Sequence, residues 1–417
     1  MRERIDAKNL ITYEDFLGTS RRCHYNEFIA DFYKRFAEEN EMPIGLTPDG
    51  DIKFGKDENF LRRAERIKDC CTHWSFDYYQ KAGYKNLVRM VRCDDRFCLN
   101  CQALAADQRL AQYSKVLDDY TIEHDLYHVV LTVPNVSGTR LADTIELMID
   151  RFSYMLRFFD GRKKVRNVDF SRYGYVGAVR ALEITVSKRD GSYHPHLHCI
   201  FVLKKNMDLP KIFWNSFSED RTGRQPTRLF SELDMLFQRL WCLLIMKEKV
   251  TKENIENIAK VLPQYPNGFT CVADLTNGDY HEVFKYAIKG TFKNETLFHY
   301  ETFKTLYTAL YNRRAYQTYG CLANYDFNDY DESLGLNSLE EVFELFITGL
   351  QREELPQRVE EILVKILVNW NDEESKYISK ASYLRHFRAL DEEEKKDALN
   401  KLMEASINVL EDKEDAE

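Results

Sequence analysis

No apolar run in this chain is long enough to cross a bilayer. The longest candidate, Leu240–Met246, falls far short of the roughly 18 residues that a membrane helix needs. The start is equally unpromising as a secretion signal. Met1-Arg2-Glu3-Arg4 leads into polar sequence rather than an apolar segment, so a cytoplasmic location without membrane contact is expected. A G-x-x-x-x-G-K-[ST] signature is missing, which argues against a P-loop ATPase. There is no internal repeat and no low-complexity tract, so the chain is not a repeat array.

What is present describes a globular protein. The chain has 417 residues, 44% hydrophobic and 30% charged, enough for two or three domains and a sizeable core. The net charge of −9 is unevenly spread. Residues 338–417 hold 21 acidic and 11 basic side chains; the remainder holds 47 and 48, close to balance. Local basic clusters stand at Arg62-Arg63, Arg162-Lys163-Lys164-Arg166, Lys204-Lys205 and Arg313-Arg314. Such clusters are usually solvated faces.

Five of the ten cysteines fall between Cys70 and Cys101. In a chain without a secretion signal, that density favours metal over disulfides. Cys93, Cys98 and Cys101 offer three thiolates, the last two as a C-x2-C pair from one tight turn. Cys70 or Cys71 is the natural fourth, with His73 as the alternative. A tetrahedral structural Zn²⁺ site follows, closed and therefore concerned with folding. Buried small residues are the plainer reading.

A second constellation is His194-Pro195-His196-Leu197-His198, continuing as an apolar run to Leu203. On a strand, the three imidazoles share one face and make a nitrogen site for a divalent cation. Glu183 lies in an apolar stretch, Gly177–Val186, separated from the histidines by a turn at Arg189-Asp190-Gly191-Ser192. A hairpin would bring Glu183 to the histidine face. A carboxylate in such a strand is costly to bury unless it is paired or bound to metal. Two histidines and one carboxylate, with positions left open, suit a catalytic Mg²⁺ or Mn²⁺ site.

Elsewhere, Tyr25–Asn40 has helical spacing with Phe28, Phe32 and Phe36 on one stripe, and 41–57 reads as a turn-rich connector. Gln102–Val116, Leu141–Phe159 and Phe230–Lys247 read as helices. Tyr127–Val133 and Gly268–Asp274 read as strands, and residues from 336 onward as acidic and helical. Asp279–Lys289 reads as a short helix closed by Gly290. On it Glu282 and Tyr286 are i and i+4, as are Lys285 and Lys289. Taken alone this is an amphipathic helix. Arg313-Arg314 with Tyr311, Tyr316 and Tyr319 mixes cations with aromatics, which suits DNA contact; an ordinary surface helix is equally consistent.

Together these segments resemble the rolling-circle replication initiators of Gram-positive plasmids, in the HUH endonuclease superfamily. The carrying residues are Leu131-Thr132-Val133-Pro134-Asn135, then His196-Leu197-His198 with Glu183 in the preceding strand, then Glu282 and Tyr286 with Lys289 following. The upstream cysteines fit one branch of that family, although Cys98-Leu99-Asn100-Cys101 stands where CPxC is usual. The resemblance covers about residues 65–325.

The resemblance implies an α+β fold: an HUH-type antiparallel sheet with the histidines central and helices on one side. With the pattern along the chain, the expected division is an N-terminal helical and linker region at 1–60, a Cys-rich zinc module at 61–118, an endonuclease domain at 119–330 and an acidic helical region at 331–417, the first and last outside what the resemblance explains. The resemblance implies Mg²⁺ or Mn²⁺ on His196, His198 and Glu183, with His194 outside the ligand set. Zinc would sit on Cys70, Cys93, Cys98 and Cys101. Tyr286 would nick single-stranded origin DNA, leaving a 5′-phosphotyrosine and a 3′-OH primer, with water activated by Glu282 for termination. Lys285 or Lys289 would stabilise developing charge. Partners would be single- and double-stranded origin DNA, a host helicase and a DNA polymerase, with a homo-oligomer left open. The rival readings are a relaxase or transposase with the same site, or a non-catalytic DNA-binding replication regulator.

Overall fold

The computed structural model describes residues 20–71, 73–79, 84–90, 92–218, 227–276, 278, 280–284, 299–323, 363–371 and 376–379. The chain divides into two compact units, one of residues 1–105 with 330–417, the other of residues 106–329.

In the first unit, α1 (Ser20–Glu38) buries Ile29, Ala30, Tyr33 and Phe36, while Phe28 is 41% exposed. The buried stripe is therefore rotated from the Phe28–Phe32–Phe36 line that spacing alone suggests. β1 (Met42–Leu46) and β2 (Ile52–Gly55) form an antiparallel hairpin with a bulge at Pro43/Gly45. This differs from the expected connector. Pro48-Asp49-Gly50 is the hairpin's own turn, and Gly50 sits at φ +90°, where a side chain is strained. Helix α2 (Asn59–Asp69) buries Phe60, Ala64 and Ile67, and rings of Tyr33, Phe36 and Phe60 pack edge to face.

β3 (His73–Tyr79) and β4 (Tyr84–Met90) belong to a four-stranded antiparallel sheet. Its other two strands are Leu363–Asn371 and Lys376–Ser379, the first paired with β3 from Leu363↔Tyr79 to Asn369↔His73. The expectation of helix after residue 336 thus fails at these two segments. Leu363-Val364-Lys365-Ile366-Leu367-Val368 is rich in β-branched residues, and a distant partner strand completes its hydrogen bonds. Helix α3 (Leu99–Tyr120) has its first turns in the first unit and the remainder in the second.

The second unit is built on one five-stranded antiparallel sheet. Its strands are β5 (His124–Thr132), β6 (Gly177–Val186), β7 (Tyr193–Lys204), β8 (Val272–Leu275) and β9 (Tyr316–Gly320), in the order β8-β5-β7-β6-β9. β7 is central, as the histidine motif predicts. Side chains alternate across it. Leu197, Cys199, Phe201 and Leu203 lie on one face, and His194, His196, His198, Ile200 and Val202 on the other.

Helices cover both faces, a correction to the expectation of one. Against the Phe201 face pack α4 (Gly138–Phe159) and α5 (Glu232–Ile245), with Phe152, Phe159 and Phe237 around the Phe201 ring. The Ser231 capping box starts α5, and its Asp234 also accepts the Ala273 N–H at 2.6 Å, tying β8 to the helix. Against the other face, Val179, Ala181, Ile200 and Val202 pack with Tyr113 and Leu117 of α3 and with Tyr280, Val283 and Phe284. The last two belong to α6 (His281–Phe284). α7 (Tyr300–Leu310) follows before β9. Each fully buried aliphatic or aromatic side chain contributes about 1.5–3 kcal/mol. The apolar run Cys199–Leu203 is buried on both sides because the sheet is a middle layer. Among the described residues, no helix is long and apolar enough to cross a membrane.

Candidate metal centres

The β6–β7 hairpin builds the first centre. Its turn closes with Ser187 N–H donating to Ser192 O at 2.8 Å and Gly191 N–H donating to Ser187 O at 3.0 Å. Gly191 takes φ +67°, open to glycine at little cost. This turn fixes a register in which Glu183 lies directly opposite His196, Ala181 opposite His198 and Thr185 opposite His194. A one-residue slip would send Glu183 to the other face of the sheet.

Residues Val133-Pro134-Asn135 leave β5 and brace this hairpin. Asn135 Nδ2 donates to Ser192 Oγ at 2.9 Å, and Val136 exchanges two backbone bonds of 2.8 Å with Tyr193. Thr132 is held as well, its carbonyl accepting from Trp241 Nε1 at 2.8 Å. The motif that carried part of the resemblance is therefore a positioning element for the histidine strand.

Glu183 Oε2 lies 2.8 Å from His198 Nε2 and 3.2 Å from His196 Nε2. These three residues form a group able to hold a metal ion, with ligand atoms all within 4.8 Å of one another. Donors at ~2.1 Å in adjacent octahedral positions lie about 3.0 Å apart, so the spacing suits a small divalent cation. Glu183 is 3% exposed. A carboxylate at that depth needs cationic or hydrogen-bonding partners, and the two imidazoles supply the available nitrogen atoms. His196 is partly open to solvent, so the centre has an accessible side.

His194 does not join this group. Its ring centroid is 5.3 Å from that of His196, and burial pushes its pKa down. Its carbonyl faces His196 Nδ1 at 3.2 Å. Sequence reasoning missed His128. It lies on the same sheet face, its Nε2 3.0 Å from His198 Nδ1 and the two rings stacked at 5.3 Å. With His198 Nε2 turned to the ligand position, its Nδ1–H can donate to His128, which fixes tautomer and ring orientation. The signal was a lone histidine inside an apolar strand, visible only once the register is known.

Glu282 lies in α6, but its side chain is not among those described. Tyr286, Lys285 and Lys289 fall outside the described residues. What precedes them is firmly packed. Phe284 stacks on Tyr113 at 4.2 Å, its carbonyl accepts from Tyr316 OH at 3.4 Å, and Tyr280 OH donates to Asp118 Oδ1 at 3.1 Å. In the Arg313 cluster, Arg313 and Tyr319 have internal partners, while Arg314 is exposed. Arg313 pairs with Glu146 at 2.9 Å, and Tyr319 packs on Phe152 and accepts from Arg180 at 3.1 Å.

The second centre belongs to the first unit. Cys70 caps the C-terminus of α2, Cys98 accepts the first backbone bond of α3 from Gln102, and Cys101 lies in that first turn. Cys93 comes from the preceding loop, which Asp95 organises through Arg63 at 2.7 Å and Tyr33 at 3.1 Å. Cys70, Cys93, Cys98 and Cys101 form the four-sulfur group, all buried. Cys70 Sγ is 3.4 Å from both Cys98 and Cys101, and Cys93 is 3.6 Å from Cys101. A tetrahedron with ~2.3 Å Zn–S bonds has edges of about 3.8 Å, so the group fits a metal of that kind. Cys71, with φ +61° and Sγ 3.8 Å from Cys70, stands beside the group but outside it. The side chain of His73 is not described.

The thiol neighbours hold Cys101 well below the usual thiol range. Hydrogen bonding to Cys101 pushes Cys70 up, and burial pushes Cys93 and Cys98 up. A cation at the centre of the group would stabilise all four as thiolates. Sequence reasoning also missed Asn26. It is 1% exposed, donates to Cys98 Sγ at 3.2 Å and accepts the Leu99 N–H at 3.0 Å. Nothing local marks it, because the contact spans two distant segments.

Residues 84–208 match the family model for a replication protein. That interval holds Cys93, Cys98, Cys101, Glu183, His196 and His198. The resemblance to replication proteins is borne out. A curated relative titled "Protein rep" from Bacillus amyloliquefaciens is 30% identical over 148 residues, covering 35% of this chain and 40% of the relative. A second from a Bacillus species is 28% identical over 150 residues, 35% of this chain and 45% of the relative. A third, from Staphylococcus aureus, is 26% identical over 200 residues, 46% of this chain and 72% of the relative. The chain thus spans less than half the length of the two Bacillus proteins. No solved structure matches it.

Proposed function

We propose that this chain is a rolling-circle replication initiator, a metal-dependent nickase acting on single-stranded origin DNA. The observation that carries the reading is the Glu183–His196–His198 group within a segment similar to replication proteins. A Mg²⁺ or Mn²⁺ ion held there supplies Lewis-acid polarisation of the scissile phosphate. Tyr286 acts as nucleophile: its phenolate oxygen bonds to phosphorus, and the bond to the 3′ oxygen breaks. The products are a 5′-phosphotyrosine and a free 3′-OH, the primer for a host polymerase. In the terminating cut Glu282 takes a proton from water, the water oxygen bonds to phosphorus, and the bond to the 3′ oxygen breaks to leave a 3′-OH and a 5′-phosphate; Lys285 or Lys289 balances charge on the phenolate or phosphate.

Support for Tyr286 comes from its place in the chain. It follows Phe284 by two residues, and Phe284 packs in one cluster with Ala181, whose register partner is His198. His128 is a positioning residue that holds the His198 ring. Zn²⁺ on the four cysteines braces the first unit without taking part in chemistry. The same reading places the chain in the cytoplasm, with duplex origin DNA as its landing site and a separate host helicase to open it.

The test uses the full chain, Mn²⁺ and labelled single strands from the replicon that carries the gene. A denaturant-resistant protein–DNA adduct is expected, and Tyr286→Phe should abolish it. Adducts that persist in Tyr286→Phe would overturn the nucleophile assignment. Absence of any adduct, with DNA still bound, would favour the regulator reading.

A further inference from the structure

The far side of the sheet carries a feature that the nicking reading does not use. A cleft of about 650 Å³ opens between the last turn of α4 with the loop after it and the segment that follows α5. One lip holds Arg162, Lys163 and Lys164; the other holds Lys247 and Lys249. Tyr154, Phe158 and Leu244 also line it, and Glu248 is its single carboxylate. Three of the cations have internal work: Arg151, also in the lining, pairs with Asp150 at 3.5 Å. Arg162 pairs with Asp160, and Lys163 donates to Tyr154 OH at 2.6 Å while lying 4.0 Å over its ring. Helix C-termini also attract cations through the helix dipole, which accounts for part of the charge. Lys164, Lys247 and Lys249 are different. All three are exposed, and none has a carboxylate partner among the described residues.

We propose that this cleft binds a short stretch of single-stranded DNA, with phosphates on the two basic lips. This rests on the reading that the protein acts on DNA. The cleft is the size of a small-ligand pocket, so it admits a few nucleotides of one strand and not a duplex. Cations on both lips of a narrow cleft are the chemistry that the backbone of a single strand engages through phosphate contact; Phe158 and Leu244 are buried and Lys163 covers the Tyr154 ring, so the contact is to phosphates and not to bases. α4 and α5 pack on the Phe201 face, so the cleft lies on the opposite side of the sheet from His196 and His198. The strand held there is therefore not at the phosphate being cut. It is a flanking or displaced segment, and holding it keeps the origin on the protein when the cut end is released.

The experiment is fluorescence anisotropy on the full chain with a labelled thymidine oligonucleotide of ~10 nucleotides, without divalent metal, across a salt series. The variant is Lys164→Ala/Lys247→Asn/Lys249→Ala; asparagine is chosen because Lys247 has φ +59°. Affinity should fall at least ~10-fold near 0.1 M salt, and the salt slope should drop by about 2, at ~0.7 per lost phosphate contact. A Lys34→Ala/Lys252→Ala/Lys260→Ala control removes equal charge elsewhere and should bind as the parent does. Lys164→Ala alone should lower the slope by about 0.7, which keeps the test intact if the triple variant melts early. Unchanged affinity and slope, or equal loss in the control, would each overturn the proposal. The readout needs no cutting. Cleft-dependent binding without any Tyr286 adduct would sink the nickase reading and leave the cleft standing.

Discussion

The two candidate metal centres are made of different atoms on different scaffolds. The cysteine group has four sulfurs, all buried, contributed by a helix end, a loop and the first turn of α3. The histidine group has one carboxylate and two imidazoles on a sheet face, with His196 partly exposed. Four soft ligands fill a tetrahedron and leave no position for a substrate. Three harder ligands leave positions free for water and phosphate oxygen. On the proposed reading, the first arrangement stores folding energy and the second performs chemistry. The contrast teaches that ligand count and exposure, rather than the presence of a metal, separate a brace from a reaction centre.

The largest effect should come from breaking the brace. Structural zinc in small modules is worth about 10–16 kcal/mol of apparent binding energy. Cys98→Ser/Cys101→Ser should therefore release the metal and unfold the first unit, seen as early protease cleavage. Zinc retained at one per chain in that variant would remove the claim. Breaking the reaction centre should do the reverse. Glu183→Gln keeps the shape but loses the anionic ligand; nicking should fall by ~10²–10³ with the melting temperature little changed. Unfolding on that substitution would mean that Glu183 is a structural ion-pair partner only. The smallest effect sharpens the contrast. His128→Gln should raise the metal concentration needed for half-maximal nicking by ~10–100-fold, the usual range for a residue that orients a ligand. An unchanged metal titration would reduce the His128–His198 contact to packing.

Much of the reaction centre was legible because β-structure imposes period two. His194, His196 and His198 announced a face, and the Asp190-Gly191 turn announced the hairpin that brings in Glu183. The cysteine spacing announced three ligands, and the structure brings Cys70 rather than Cys71 into the group with them. What stayed hidden depends on distant pairing. Leu363–Asn371 needs β3 as its partner, far away in the chain, so acidic helical composition around it prevailed in the reading. In 41–57 the turn residues were recognised and the short strands they join were not. Helices on both faces were signalled by the unalternating run Cys199–Leu203, a signal that the histidine alternation before it obscured. Asn26 carries no local mark, and the mark of His128, a lone histidine in an apolar strand, has meaning only with the register; each acquires its role from a neighbour that only folding supplies.

The central claim is that one centre reacts and the other braces. It is tested most directly by treating the full chain with EDTA, then measuring adduct formation and zinc content in the same sample. The account predicts that adduct formation disappears, that about one zinc per chain remains in the closed cysteine site, and that Mn²⁺ alone restores the reaction. Loss of zinc in step with activity, or an adduct that still forms in EDTA, would contradict it.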